Sequence, residues 1–195
     1  PKGRERMQFL DKKAKDYIFR LNELLNKMDL DSLNSFYEVL LNAKNDSTIY
    51  IIGNGGSSAT ASHMANDLAV GLKIREIKNL KVVSLSDNSA ISYAISNDIG
   101  FENVFYMQLK NILSSKDIII AISCSGNSSN IVKAVKYAKE QNCKIIGLTG
   151  FDGGKLKELS DVSLHFETTK GEYGLVEDAH SIINHLVFTY FKGKK

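Results

Sequence analysis

Apolar and polar residues alternate along this chain in blocks whose spacing predicts a regular succession of helices and strands. Apolar residues recur at helical spacing over residues 8–28, and a second helix is predicted over 32–43 with Asp31 as its N-cap. Short runs rich in β-branched residues predict strands at 48–52, 80–85, 117–122, 143–148 and 162–166. Helical spacing predicts helices at 57–70, 89–96, 101–112, 127–141 and 177–191, with a loop at 171–174.

Strands that are apolar on both faces and alternate with helices are typical of βαβ units. We therefore expect an α/β fold with a central, mainly parallel sheet and helices on both of its faces. No linker or repeat interrupts the pattern, which predicts a single domain over residues 1–195. Ligands bind at the carboxyl ends of such strands, so functional residues are expected just after Ile52, Leu85, Ile122 and Leu148.

Composition places the chain among globular proteins and narrows its class. Of its 195 residues, 43% are hydrophobic and 24% are charged, and the net charge of +3 is too small to indicate nucleic-acid binding. No apolar run approaches the ~20 residues of a membrane span, and the charged N-terminus lacks the apolar core of a secretory signal. Two cysteines, Cys124 and Cys143, cannot form a disulfide framework, so we expect a cytoplasmic protein.

The two predicted N-terminal helices, within residues 5–45, are amphipathic. They contain no basic recognition helix of the kind that reads DNA. We therefore expect them to serve in oligomerisation.

A glycine-rich turn follows the first predicted strand and leads into a helix. Its sequence is Gly53-Asn54-Gly55-Gly56-Ser57-Ser58. Glycines let a backbone approach a ligand closely, and a helix N-terminus offers free N–H groups to an anion. The turn lacks the Lys-Ser/Thr of a Walker A loop and the glycine spacing of a dinucleotide site. Alone, it fits a structural turn as well as a ligand loop.

A serine-rich turn follows the third predicted strand in the same way. Its sequence is Ser123-Cys124-Ser125-Gly126-Asn127-Ser128-Ser129-Asn130. Four serines beside a helix N-terminus make a phosphate cradle that needs no charged side chain, although capping of the following helix is a simpler alternative. Two such turns after two parallel strands favour a phosphate site.

Histidines and carboxylates form a further group of candidates. His63 and Asp67 are four residues apart and share one face of the helix after the glycine-rich turn, while Glu177 and His185 belong to the last helical region. Such a set suits zinc, although His63 also fits a buried, hydrogen-bonded core residue. Eight residues span ~12 Å of an ideal helix. Glu177 and His185 therefore reach one ion only if Glu177 precedes the regular helix or one ligand comes from another subunit.

In this order the motifs resemble the sugar isomerase (SIS) domain, and more narrowly the phosphoheptose isomerase family. The resemblance covers nearly the whole chain and rests on Gly53-Asn54-Gly55-Gly56-Ser57-Ser58-Ala59 with His63, Ser96-Asn97-Asp98-Ile99-Gly100-Phe101, Ile122-Ser123-Cys124-Ser125-Gly126-Asn127-Ser128, and Glu177-Asp178-Ala179-His180 with His185. The serine-rich turn marks SIS domains in general. The glycine-rich turn with a downstream histidine narrows the resemblance to the phosphoheptose isomerase family.

The resemblance implies a flavodoxin-like three-layer α/β sandwich, a homotetramer with active sites between subunits, and a zinc ion in each subunit. It also implies an aldose–ketose isomerase that interconverts sedoheptulose 7-phosphate and D-glycero-D-manno-heptose 7-phosphate, for lipopolysaccharide or capsule heptose. The implied phosphate residues are Ser123, Cys124, Ser125 and Ser128, and the implied sugar residues are Asn54, Gly55, Gly56, Asn97 and Asp98. Ser57 is a further substrate-binding candidate.

The implied zinc ligands are His63, Asp67, Glu177 and His185. Asp67 and His185 would also serve as base and acid in an isomerisation through an enediol, which needs both groups and stabilisation of an oxyanion. Four residues depart from the family pattern: Asp67 replaces Glu, Glu177 replaces Gln, Cys124 replaces Thr, and Gly174 replaces Asp. These departures bear on the identity of the sugar and on metal affinity more than on the fold.

Three alternatives remain open at the level of sequence. In the first, the chain is an isomerase for another sugar phosphate. In the second, it is a non-catalytic SIS protein that binds a replication initiator, and in the third it is a ligand-sensing regulatory domain. In the non-catalytic relatives the acid–base residues are typically lost. Here two histidines and two carboxylates stand at the matching positions, which favours an enzyme.

Overall fold

The structure is a computed structural model that describes residues 2–193, with side chains for residue 7 and residues 9–193. Pro1, Lys194 and Lys195, which the single-domain prediction includes, lie outside the described residues. The strands are β1 (Ile49–Gly53), β2 (Val82–Ser84), β3 (Ile118–Ser123), β4 (Lys144–Phe151) and β5 (Val162–Glu167). The helices are α1 (Lys2–Asn26), α2 (Leu30–Leu41), α3 (Gly56–Ala65), α4 (Leu72–Ile74), α5 (Ser89–Ile99), α6 (Val104–Leu109), α7 (Ser129–Glu140), α8 (Gly154–Leu159) and α9 (Tyr173–Lys192).

The five strands form one parallel sheet in the order β2-β1-β3-β4-β5. This is the strand order of the flavodoxin-like fold, and it confirms the predicted α/β class. In such a sheet the connections that follow β1 and β3 lead to opposite sides of the sheet. Ligands bind in the crevice that this leaves outside the carboxyl ends of the two strands. Ile51 pairs with Ile120 and Gly53 with Ile122, so the turns after β1 and β3 leave the sheet side by side.

Helices cover both faces of the sheet, as the right-handed connection of parallel strands requires. On one face α2, α3, α4 and α9 pack against alternate residues of the strands, among them Ile51, Ile120 and Leu148. On the other face α6, α7 and α8 cover a second core that includes Ile119, Ala121 and Ile145. Neighbouring strand residues therefore face opposite cores, which explains why the central strands β1 and β3 are apolar on both faces.

The structure corrects several predicted boundaries. The N-cap of α2 is Asp29 and not Asp31, because Asp29 Oδ1 accepts from the backbone N–H groups of Asp31 at 3.0 Å and Ser32 at 3.2 Å. β4 continues beyond Leu148 to Phe151 by pairing with β5, and the short helix α8 was not predicted from the sequence.

The last helix begins earlier than predicted. α9 starts at Tyr173, so Gly174 lies in its first turn and not in the predicted loop. A tertiary contact supports this turn, because the Tyr17 hydroxyl of α1 packs against Gly174. It lies 3.1 Å from the position that a Cβ on Gly174 would occupy. Tyr17 also donates a hydrogen bond to Asp178 at 2.6 Å, and Arg20 pairs with Glu172 at 2.9 Å. Between residues 2 and 193, no helix is both long and apolar enough to cross a membrane.

Candidate active site

The glycine-rich turn after β1 is shaped by two glycines with different roles. Gly55 adopts φ +53°, a left-handed conformation that side chains disfavour. Gly56 begins α3 and lies against the Glu177 side chain, since a Cβ there would be 2.5 Å from the carboxylate atoms. The turn is therefore in direct contact with the first turns of α9.

The serine-rich turn after β3 is held by the neighbouring turn after β4. Gly126 has φ +63°, and a Cβ on it would lie 2.0 Å from the backbone oxygen of Gly153. The Leu156 N–H donates to the Gly126 oxygen at 2.9 Å, and the Lys155 N–H donates to the Asn127 side chain at 2.9 Å. Because Ser128, the N-cap of α7, makes no capping hydrogen bond through its side chain, capping does not account for this serine.

The two turns line a common cavity of about 140 Å³ that is partly open to solvent and is several times the roughly 30 Å³ that a water molecule occupies in the liquid. It is lined by six predicted substrate residues together with Ile122, Tyr173 and Glu177; the six are Asn54, Ser57, Ser123, Cys124, Ser125 and Ser128. Gly55 and Gly56 form the adjoining backbone of the glycine-rich turn.

Cys124 is buried in this cavity. Burial, and secondarily the negative charge of Glu177, raises the pKa of the Cys124 thiol to about 11. The thiol is therefore protonated at neutral pH and offers a weak hydrogen-bond donor in place of a nucleophile.

A second group of side chains lies further along α3 and α9. His63 of α3, His185 of α9 and Asp67 of a π-helical turn (Asn66–Gly71) place one ligand atom each within 4.8 Å of one another. His63 Nε2 lies 3.3 Å from Asp67 Oδ2 and 3.4 Å from His185 Nε2. Tetrahedral zinc with ligand distances near 2.0–2.1 Å separates its ligand atoms by about 3.3–3.4 Å. The two distances measured from His63 Nε2 therefore already match the separation of ligand atoms around a zinc ion.

Glu177 lies apart from this group. It belongs to the same regular helix as His185, and its carboxylate lies at Gly56 and at the serine-lined cavity. Among the described residues, the group that could hold a metal contains His63, Asp67 and His185 only. Within one subunit the structure thus brings together three of the four predicted ligands.

Asn97 and Asp98 are also separate from the cavity. Both lie near the end of α5, where the Asn97 side chain donates to Asp98 Oδ1 at 2.9 Å. Neither residue lines the serine-lined cavity. Within the described part of the chain, no residue of α5 is buried.

Two asparagines at the site were not singled out from the sequence. Asn130 pairs with Asn54, and Asn184 hydrogen-bonds Asp67. The place of Asn130 at the end of the serine-rich turn and of Asn184 next to His185 was the only available signal, since nothing in one sequence distinguishes a buried asparagine from an exposed one. A larger open groove of about 860 Å³ between α1, α9 and the segment after β5 contains none of the predicted site residues.

The parallel sheet, with a glycine-rich and a serine-rich turn side by side at its switch point, is that of a sugar isomerase domain. A family profile for the SIS domain matches residues 16–150. Phosphoheptose isomerases of Nitratiruptor sp. and Helicobacter pylori are 38% and 40% identical to this chain over 144 and 150 residues, covering 74% and 77% of it and 75% and 76% of their own lengths.

The solved structure of phosphoheptose isomerase GmhA from Neisseria gonorrhoeae has a TM-score of 0.82 and 28% identity, and the match covers 96% of this chain and 98% of that one. The chain therefore belongs to the phosphoheptose isomerase family of SIS-domain proteins. This confirms the resemblance derived from the motifs.

Proposed function

We propose that this chain is an aldose–ketose isomerase that converts sedoheptulose 7-phosphate to D-glycero-D-manno-heptose 7-phosphate. One relationship carries the proposal: the serine-lined cavity and the His63–Asp67–His185 group lie along the same pair of packed helices. Ser57 and His63 are ~9 Å apart along α3, and Glu177 and His185 ~12 Å apart along α9. Seven carbons joined by bonds of ~1.5 Å span a comparable length, so a phosphate in the cavity would leave C1 and C2 near the histidines.

The chain's own residues divide the reaction between the two ends. The serine-rich turn and the α7 N-terminus hold the phosphate away from the reacting carbons and thereby position them. Asp67 takes a proton from C1 and returns it to C2, while His185 gives a proton to the C2 carbonyl oxygen as the enediol forms and takes the proton of the C1 hydroxyl as the aldehyde forms. Asn54, with the backbone of Gly55 and Gly56, orients the sugar.

We propose zinc as the cofactor, held by His63, Asp67 and His185. The spacing of their ligand atoms supports this assignment. Zinc, when bound, would polarise the substrate oxygens. Glu177 remains a predicted ligand only for the site of a neighbouring subunit, because its own α9 keeps it near the serine-lined cavity.

We further propose a homotetramer with active sites at subunit interfaces, in which residues 5–45 and α5 form contacts. On α1, Leu10, Ile18 and Phe19 are exposed, and Tyr93 and Ile99 are exposed on α5. Burial of such side chains against another copy would bring Asn97 and Asp98 to a neighbouring cavity. Light scattering should show that Ile18→Glu lowers the oligomeric mass, whereas Lys15→Glu on the same helix should not.

We also propose a cytoplasmic role in making heptose for lipopolysaccharide or capsule. The test is a coupled assay with sedoheptulose 7-phosphate on protein stripped by a chelator and on protein restored with zinc. We expect turnover that returns with zinc. Folded protein that is inactive in both states but stabilised by a different sugar phosphate in a thermal-shift screen would transfer the proposal to that sugar. Protein stabilised by none would indicate a non-catalytic binding protein.

A further inference from the structure

The glycine-rich and serine-rich turns are joined by a pair of amide side chains. Asn54 Nδ2 donates to Asn130 Oδ1 at 2.9 Å, and Asn130 Nδ2 donates back to Asn54 Oδ1 at 2.9 Å. Asn130 lies in the first turn of α7 and is completely buried, whereas Asn54 is only partly buried and lines the cavity. The reciprocal pair therefore connects a hidden residue to one that a ligand can reach.

The orientation of the Asn130 amide is set by a third group. Asn130 Oδ1 also accepts from the backbone N–H of Ile131 at 2.9 Å. Because an oxygen accepts and an NH₂ group does not, this contact determines which side of Asn130 carries the oxygen. The Asn130 amide in turn determines which side of Asn54 carries its oxygen, since each amide must present a donor to the other's acceptor.

We infer that Asn130 is a positioning residue that presets Asn54 for the sugar portion of the substrate; this rests on the proposed function. An asparagine amide has two N–H donors and two oxygen lone pairs, and the pair consumes one of each on Asn54. One donor and one acceptor remain, which is the complement of a sugar hydroxyl. Since Asn130 belongs to the same helix turn that receives the phosphate, it links the sugar's orientation to the phosphate position.

The test is a double-mutant cycle read by binding, with Asn54→Ala, Asn130→Ala and the double variant. Sedoheptulose 7-phosphate and inorganic phosphate are titrated into each by calorimetry. For each single variant we expect about tenfold weaker sugar-phosphate affinity. For the double variant we expect about the same tenfold loss, whereas two independent residues would give about a hundredfold loss. Affinity for inorganic phosphate should change less than about threefold in all of them, as should both affinities in Lys136→Ala, an exposed control on α7.

A merely structural role would give a different result. Equal losses for both ligands, or losses that multiply in the double variant, would overturn the inference. The side-chain amide protons of Asn54 provide a second readout that does not depend on turnover. In the unaltered protein one of them should be protected from solvent exchange and the other not, and Asn130→Ala should remove that protection.

The amide signals also separate this inference from the proposed function. Unaltered protein that binds no sugar phosphate would refute the proposed function, and the exchange measurement would still decide whether Asn130 holds Asn54. Two equally unprotected Asn54 protons would refute the positioning role even in an active isomerase.

Discussion

Asn184 donates a hydrogen bond from its side-chain Nδ2 to Oδ2 of Asp67 at 2.8 Å. The same carboxylate oxygen lies 3.3 Å from His63 Nε2. Asn184 is buried, and its own oxygen has no hydrogen-bond partner among the described residues. A buried acceptor without a partner costs about 1–3 kcal/mol, so the Asn184 oxygen lowers the stability of the fold at this position.

Asn184→Leu should therefore weaken metal binding without lowering the free energy of unfolding. Partners that hydrogen-bond a metal-ligating carboxylate typically contribute a factor of about 10–100 in metal affinity, and we expect a loss of that size in competition with a chromogenic chelator. The metal-free variant should be as stable as the original or up to about 1 kcal/mol more stable in chemical denaturation, because the unpaired oxygen is removed.

Asn66→Ala is the matched control for this variant. Asn66 also contacts Asp67, but the residue is exposed and the distance is 3.4 Å. Its loss should change metal affinity only slightly. Equal effects of the two variants would show that the burial of Asn184 has no bearing on Asp67.

His185→Gln should abolish turnover while leaving the fold intact. General acid catalysis contributes about 10²–10⁴-fold, and glutamine cannot supply a proton at neutral pH. Circular dichroism and the coupled assay measure the two properties. His165→Gln is the control, because His165 lies on β5 and is not part of the His63–Asp67–His185 group. This variant should keep turnover within a few-fold of that of the unaltered protein. Undiminished turnover in His185→Gln would remove this residue from the mechanism.

Glu177→Gln should strengthen the binding of inorganic phosphate. The Glu177 carboxylate lines the serine-lined cavity, which has no Lys or Arg among its lining residues in the described chain. A like charge ~4 Å from a bound anion costs about 1 kcal/mol in bulk water and up to about 4 kcal/mol near a protein surface, so we expect removal of the Glu177 charge to raise phosphate affinity about fivefold or more. Calorimetry measures this effect.

Asp178→Asn is the control for Glu177→Gln, because Asp178 is adjacent in sequence and bonds Tyr17. If Glu177→Gln instead leaves phosphate affinity unchanged and weakens metal binding in the assembled oligomer, Glu177 serves a neighbouring subunit's metal site.

His180 makes stability depend on pH. Complete burial lowers the pKa of His180 to about 4, while its Nε2 lies 3.2 Å from the Thr149 oxygen and its Nδ1 has no partner among the described residues. The unfolded chain titrates near 6.5. Below that pH the unfolded state binds more protons, so the contribution of neutral His180 is present above pH 6.5 and is lost as pH falls toward 4.

Denaturation at pH 7.5 and pH 5, at one protein concentration, should show a loss of about 2 kcal/mol that depends on His180. His180→Gln retains a donor for Thr149 and does not titrate, so its pH dependence should be smaller by that amount. An equal pH dependence in both proteins would assign the effect to other groups.

Much of the architecture was predictable from local patterns. The five strands were predicted because β-branched runs between helical segments have few other solutions, and the switch point located the two turns that line the cavity. Two of the errors concern contacts between distant segments: α9 begins early at Tyr173 because α1 packs on its first turn, and β4 extends because β5 pairs with it.

The sequence by itself determined the fold class, the family, and the residue types from which a phosphate cavity and a metal group are made, because these depend on periodicity and short motifs. Tertiary structure alone decided which of those residues meet. A rigid helix separates Glu177 from His185, and two buried asparagines hold Asn54 and Asp67. Distances between side chains on different elements depend on how helices pack on a sheet, and spacing along one chain does not contain that information.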